Sequence, residues 1–224
     1  MIRANATIRL MAHYAENART LPWRERSGVA DPYRVWLSEV MLQQTSVAAV
    51  SPRFERFVAR WPTVETLAAA SDEEILSEWA GLGYYARARN LIACARQVAA
   101  RGSFPSTESE LRLLPGIGDY TAAAIAAIAF GQRSAVVDTN VRRVIARLHG
   151  LASPTPPQVR KLTLAMIPRH APGDFAQAMM DLGATICRPR APRCTACPLQ
   201  DDCAAARSGD PEQFPTRAVK SARP

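Results

Sequence analysis

The sequence predicts an all-α fold. Eight segments space their apolar residues at helical intervals or are rich in strong helix formers. The turns between them are marked by Pro and Gly, as in WPTV, GSFPSTES and SPTPP. Strand candidates are almost absent, since SAVVD at 134–138 is too short to carry a sheet. In chain order, ATIRLMAHYAENAR (6–19) and YRVWLSEVMLQQTSVAAV (33–50) come first. SDEEILSEWAGL (71–82) opens on Ser71 with Glu74 three residues on, the pattern of a capping box. ARARNLIACARQVAAR (86–101) and the alanine-rich DYTAAAIAAIAF (119–130) follow. DTNVRRVIARLHGL (138–151), PPQVRKLTLAMIP (156–168) and GDFAQAMMDLGATIC (173–187) complete the set. Beyond Cys203 the chain turns polar, Pro-rich and aperiodic, which predicts a linker-like tail.

A chain of 224 residues can bury one large core or two small ones. Its 48% apolar content excludes general disorder. No run of about eighteen apolar residues is present, so no membrane span is expected. The net charge of +8 comes mostly from arginine and favours a polyanionic partner, nucleic acid before an acidic membrane. Met1 begins no apolar h-region and no Ala-x-Ala cleavage site follows, so a cytoplasmic, nucleoid-associated protein is expected. The histidines (His13, His149, His170) are scattered, which argues against a zinc-water hydrolase. Cys94 sits in a helical run and reads as a small buried apolar side chain.

Cys187, Cys194, Cys197 and Cys203 form the spacing C-x6-C-x2-C-x5-C. Thiolates so spaced wrap one soft metal centre. Disulfides fit poorly, because nothing in the chain looks secreted. Four-cysteine zinc sites usually come as two C-x2-C pairs, and only one is present, so a 4Fe-4S cluster is favoured over structural zinc. A second motif, LPGIGDYTAAAI at 114–125, sets Gly116 and Gly118 before a helix start at Asp119 or Thr121. The glycines permit a tight turn and close approach of a ligand, and free N–H groups at a helix start suit a phosphate. No P-loop lysine follows, so nucleotide binding is disfavoured. In a basic chain the motif reads as a helix–hairpin–helix gripping a DNA backbone, with an ordinary helix–turn–helix corner as the alternative.

Together, LPGIGDYT, the aspartate of VVDTNV and the cysteine loop resemble the endonuclease III superfamily of DNA glycosylases. PWR at 22–24, DPYRVWLSEVMLQQT at 31–45, GLGYYARARNL at 81–91 and MDLGATIC at 180–187 resemble its MutY-type adenine glycosylases, which act on adenine opposite 8-oxoguanine. The resemblance covers residues 20–203. It implies a helix-hairpin-helix glycosylase fold: a six-helix barrel over 22–134, a cluster subdomain over 1–21 and 135–207, a cleft between them, and a tail over 208–224. The partner implied is double-stranded DNA with an adenine mispair, bound by a monomer.

Glycosidic cleavage needs a protonated leaving base and a stabilised oxocarbenium-like sugar, which two carboxylates in different environments supply. Glu39 lies in the nearly all-apolar VWLSEVML, where burial disfavours its charged form; a surface glutamate is the bland alternative. The resemblance makes Glu39 the acid that protonates adenine. Asp138 reads alone as a helix N-cap, and by resemblance is the catalytic aspartate. Tyr120 stands where strand-cutting relatives carry a lysine, which implies a monofunctional enzyme. Asn140 is placed to hydrogen-bond near Asp138 or to stand by.

Gln44, beside Gln43, resembles the wedge that enters the base stack. It lies about 140° around the helix from Glu39, so both roles require the helix to end before it. Trp23, Arg24 and Gln177 match adenine-pocket positions, with packing as the alternative. Tyr84, Tyr85, Arg87 and Arg89 suggest an aromatic, basic DNA-facing surface, with a packed helix-hairpin as the alternative. Thr121 belongs to the hairpin, and Arg188 and Arg190 lie in a cluster loop that would neutralise phosphates.

DTNV in place of VDGNV, with Tyr120, keeps a thymine or uracil mismatch glycosylase as an alternative. A non-catalytic iron–sulfur DNA-binding protein is a second. MutY-type proteins usually add a C-terminal Nudix-like domain that helps recognise 8-oxoguanine. A chain ending in FPTRAVKSARP is expected to cleave adenine with weakened preference for 8-oxoguanine over guanine.

Overall fold

The computed structural model describes residues 2–25 and 30–216, with side chains from residue 5 onward. The described residues contain helices and no strand, and none of these helices is long and apolar enough to cross a membrane. The chain divides into two compact units, Met1–Arg19 with Ala135–Pro224 and Thr20–Ser134. The first helix, α1 (Ile2–Asn17), belongs to the discontinuous unit.

The continuous unit holds seven helices among its described residues. They are α2 (Pro32–Leu42), α3 (Val47–Arg60), α4 (Val64–Ala69), α5 (Asp72–Trp79), α6 (Tyr85–Arg101), α7 (Glu108–Leu111) and α8 (Asp119–Ile128). Local chemistry sets most boundaries. Asp31 caps α2, accepting from Tyr33 N–H, and Pro32 occupies the first turn where no donor is needed. Ser71 and Glu74 form the expected capping box at the start of α5.

The segment 33–50, read as one helical stretch, is two helices. α2 stops at Leu42, and Ser46 caps α3 by accepting from Ala49 N–H. A Ser in that position competes for backbone donors and restarts the helix in a new direction. Helix α2 packs on α3 and α8, α4 and α5 pack on α6, and α7 packs on α8. Their shared core contains Trp36, Phe54, Phe57, Trp79 and Leu91. Phe57 meets Trp61 and Trp79 edge-on, at centroid distances of 5.1 and 6.2 Å. Cys94 is fully buried here, and burial pushes its thiol up to about 12, so it is an inert packing residue.

The discontinuous unit adds α9 (Thr139–His149), α10 (Pro156–Met166), α11 (Pro172–Thr185) and α12 (Ala204–Arg207). Helix α9 packs on α11, α10 and α12, and α1 packs on α11 and α10. Leu10, Val141, Ile145, Val159, Phe175 and Met179 form the core, with Cys187, Cys197 and Cys203 packed against it.

The stretch read as a linker-like tail is not loose as far as it is described. The Glu212 carboxylate accepts from Ala191 N–H at 2.9 Å, the Phe214 carbonyl accepts from the buried Arg147 at 3.0 Å, and Thr216 N–H donates to the Ala152 carbonyl at 2.7 Å. Its polar composition misled because those polar groups are partners for the fold rather than for water. Residues 217–224 lie outside the described residues.

Candidate active site

Glu39 sits at the centre of α2 and is only 7% exposed. Leu37, Val40 and Met41 beside it are buried as well, so α2 presents no broad polar face. A surface glutamate is thereby ruled out, and the side chain occupies a position that a helix normally gives to an apolar residue. Helix α2 ends three residues later, which frees Gln43 and Gln44 from its geometry. Gln43 donates through Nε2 to Thr121 Oγ1 at 3.3 Å, tying the end of α2 to the first turn of α8. Gln44 is exposed and left-handed, with φ of 58°.

The helix–hairpin–helix is formed by α7, a glycine turn and α8. Gly116 has φ of 75°, and a Cβ there would lie 2.7 Å from Asn90 Cβ, so only glycine lets the turn approach α6. Gly118 precedes α8 without any side-chain cap, which leaves the first N–H groups of that helix available to an anion. Tyr120 and Thr121 occupy the first turn, Thr121 buried and Tyr120 half-buried. Leu113, in the same turn, is 81% exposed and was not singled out by sequence. Its only sequence signal is an apolar residue beside a glycine corner.

Other expected site residues of this unit fall differently. Trp23 is a core residue, edge-on to Phe54 at 5.5 Å, and Arg24 is half-buried behind it. Tyr84, Tyr85 and Arg89 are exposed. Arg87, expected on a DNA-facing surface, turns its guanidinium inward onto backbone carbonyls of two loops.

In the other unit, Asp138 is the N-cap of α9. One carboxylate oxygen accepts from Val141 N–H at 2.7 Å and the other from Asn140 Nδ2 at 2.8 Å. Both oxygens are therefore held, at the positive end of a helix. Asn140 is in turn held by Arg143, whose Nη2 donates to Asn140 Oδ1 at 2.9 Å and to the Gly183 carbonyl at 2.7 Å. Arg143 Nε donates to the Cys187 carbonyl at 2.8 Å. One guanidinium thus connects the orienting partner of Asp138 to the first cysteine of the metal motif. Gln177 is buried on α11.

The four motif cysteines share one loop folded by two short 3-10 turns, Cys194–Ala196 and Gln200–Asp202. Arg147, only 2% exposed, donates to Cys187 Sγ at 3.5 Å and to the carbonyls of Arg188 and Pro189 at 2.6 and 3.0 Å. Burial pushes the Cys197 thiol up to about 12, and the nearby Cys187, Cys203 and Cys194 add to the rise. Burial likewise raises Cys194 and Cys203. Thiols so placed stay protonated at neutral pH unless a cation takes the proton's place.

Among the described residues no group of three or more His, Cys, Asp or Glu side chains stands ready to hold a metal ion. The all-sulfur donor set, with an arginine N–H on one sulfur, fits a soft, negatively charged iron–sulfur centre. Arg188 and Arg190, between Cys187 and Cys194, are exposed.

Residues 37–169 match the family described as HhH-GPD superfamily base excision DNA repair protein. An adenine DNA glycosylase of Homo sapiens is 44% identical over 218 residues, covering 92% of this chain and 40% of the relative. One from Mycobacterium tuberculosis is 45% identical over 209 residues, covering 90% of this chain and 68% of the relative. The chain thus spans less than half of the human relative. Among solved structures, a thermostable thymine-DNA glycosylase superposes with a TM-score of 0.84 at 28% identity, covering 92% of this chain and 97% of the other. A non-covalent endonuclease III–DNA complex gives 0.73 at 26% identity, with coverages of 89% and 92%.

The geometry around Asp138 makes Gly183 indispensable. A Cβ at Gly183 would lie 2.6 Å from Asn140 Cβ and 3.1 Å from its Cα. Gly183→Ala is expected to cost about 1–3 kcal/mol by overpacking, measured by urea unfolding. A fully stable variant would show that α9 and α11 yield freely there.

Proposed function

The chain belongs to the HhH-GPD superfamily of base excision DNA repair proteins, and we propose that it hydrolyses the bond between adenine and deoxyribose in duplex DNA. The substrate is adenine mispaired with 8-oxoguanine or guanine. The observation that carries the reading is Glu39, a carboxyl side chain buried among apolar neighbours on α2. The choice of adenine is supported by relatives that bear that activity in their names.

In the reaction the adenine leaves the base stack before chemistry, because its glycosidic bond is out of reach inside a duplex. Glu39 donates its proton to the base, so the bond's electron pair departs onto a neutral leaving group. Asp138, ionised and held by Asn140 and Val141, stabilises the positive charge that develops on the sugar. Water then adds to the sugar and leaves an abasic site. No lysine stands at position 120, so the strand is left intact until alkali is added. The uncapped start of α8 and the exposed Arg188 and Arg190 are suited to backbone phosphates.

Cys187, Cys194, Cys197 and Cys203 would hold a 4Fe-4S cluster, which when bound cross-links the loop that carries Arg188 and Arg190. Base excision itself calls on none of its electrons. A brown protein with broad visible absorption and about four irons per chain is expected. A colourless protein with stoichiometric zinc would replace the cluster with a structural zinc.

A second reading, thymine or uracil excision from mispairs with guanine, is favoured by the likeness to the thymine-DNA glycosylase. Single-turnover excision on four duplexes decides between them: adenine opposite 8-oxoguanine, adenine opposite guanine, thymine opposite guanine and uracil opposite guanine. Adenine release from the first two, with strand cutting only after alkali, is expected. Pyrimidine release would shift the assignment to the second reading. Release of no base would leave a DNA-binding protein.

A further inference from the structure

The turn that follows α2 is built on an awkward residue. Thr45 N–H donates to the Leu42 carbonyl at 3.2 Å, closing a four-residue turn. Gln43 has φ of −57° and ψ of 113°, and Gln44 has φ of 58°. These are the angles of a type II turn, whose third position normally requires glycine or asparagine. Across from it, Tyr84 is also left-handed, with φ of 49° and ψ of 59°, at the start of α6. A non-glycine residue keeps such a conformation only where its surroundings impose it. Both side chains are exposed.

One side chain reaches both places. Arg87 Nη1 donates to the Gln43 carbonyl, and to the Val40 and Met41 carbonyls at 3.2 and 3.0 Å. Its Nη2 donates to Thr45 Oγ1 at 3.1 Å and to the Leu82 carbonyl at 2.9 Å. The guanidinium carbon lies 5.5 Å from the Tyr84 ring centroid and 5.4 Å from that of Trp79. The Gln43 carbonyl matters most. Type I and type II turns differ by a flip of the central peptide, which carries that oxygen to the opposite side. A donor fixed on it selects type II and, with it, the left-handed Gln44. The Val40 and Met41 carbonyls are at the end of α2, where the helix itself supplies no donor, so the same group secures the helix that carries Glu39.

We propose that Arg87 is a positioning residue that locks Gln44 in the left-handed conformation from which it enters the base stack, and holds Tyr84 left-handed beside it. The inference rests on the proposed function and on the resemblance that makes Gln44 the base-stack wedge. Lysine cannot replace it, because a single ammonium lacks the planar fork needed to serve two loops at once.

The test has a readout that does not depend on catalysis. In a crystal structure of Arg87→Lys, the Gln43–Gln44 peptide is expected to flip or become heterogeneous, with Gln44 leaving positive φ. An unchanged turn overturns the proposal whatever the protein's activity. On adenine opposite 8-oxoguanine, Arg87→Lys is expected to slow single-turnover excision about tenfold or more, with affinity for undamaged duplex changed by less than about threefold. In the Gln44→Ala background the same substitution should cost much less than in the parent, because the two act through one contact. Full multiplication of the two losses would mean that Arg87 does not act through Gln44. A parent that excises no adenine sinks the functional reading, and the crystal structure still decides the turn. Should Arg87→Lys fail to fold, Arg87→Lys/Gln44→Gly is the deciding chain. Folding restored by glycine supports the lock, and failure of both overturns it.

Discussion

A carboxyl side chain kept out of water on an apolar helix is the constraint from which the rest follows. Glu39 is 7% exposed, and α2 must be covered on nearly every side to keep it so. That cover is the continuous unit itself: α3 and α8 pack on α2, and the aromatic core of Trp36, Phe54, Phe57 and Trp79 fills the space between helices. Burying such a group costs several kcal/mol in an apolar setting unless it is neutral and hydrogen-bonded. A buried carboxyl of this kind is suited to deliver a proton where water is excluded, the role proposed for Glu39.

Asp138 is treated in the opposite way. It caps a helix, accepts two hydrogen bonds and faces the positive end of the α9 dipole. Two carboxylates in contrasting environments suit the two different tasks of the proposed reaction. The support of Asp138 extends through Asn140 and Arg143 to the Cys187 carbonyl. Close packing of α9 on α11 at Gly183 holds that relay together. A metal centre on the cysteines would thus stiffen the segment that orients Asp138, without entering the chemistry.

Much of this was legible locally. The capping box at Ser71, the glycine turn before α8, the buried Cys94 and the contact of Asn140 with Asp138 all involve residues a few positions apart. The end of α2 before Gln44 was legible as a requirement, since one helical face could not carry both Glu39 and Gln44. What escaped depends on distant partners. Arg147 carries no local signal of its role, yet it is buried and donates to carbonyls some forty residues away. Arg87 reads as part of a basic, aromatic surface, yet its fork is taken by the carbonyls of two loops. The polar stretch after Arg207 looked like a linker because its hydrogen-bond partners lie far back in the chain. Arginine patterning gives the charge of a segment and says nothing about which carbonyls will claim it.

In the proposed reaction everything turns on Glu39 as the proton donor to the departing base. The most direct measurement compares Glu39→Gln with the parent on one adenine–8-oxoguanine duplex, recording affinity and single-turnover excision together. The amide fills the same buried space and can still donate a hydrogen bond, but it cannot give up a proton. Duplex affinity within about threefold of the parent and excision slowed by about a thousandfold or more are expected. Excision at near the parent rate would contradict that role and make Glu39 a packing residue.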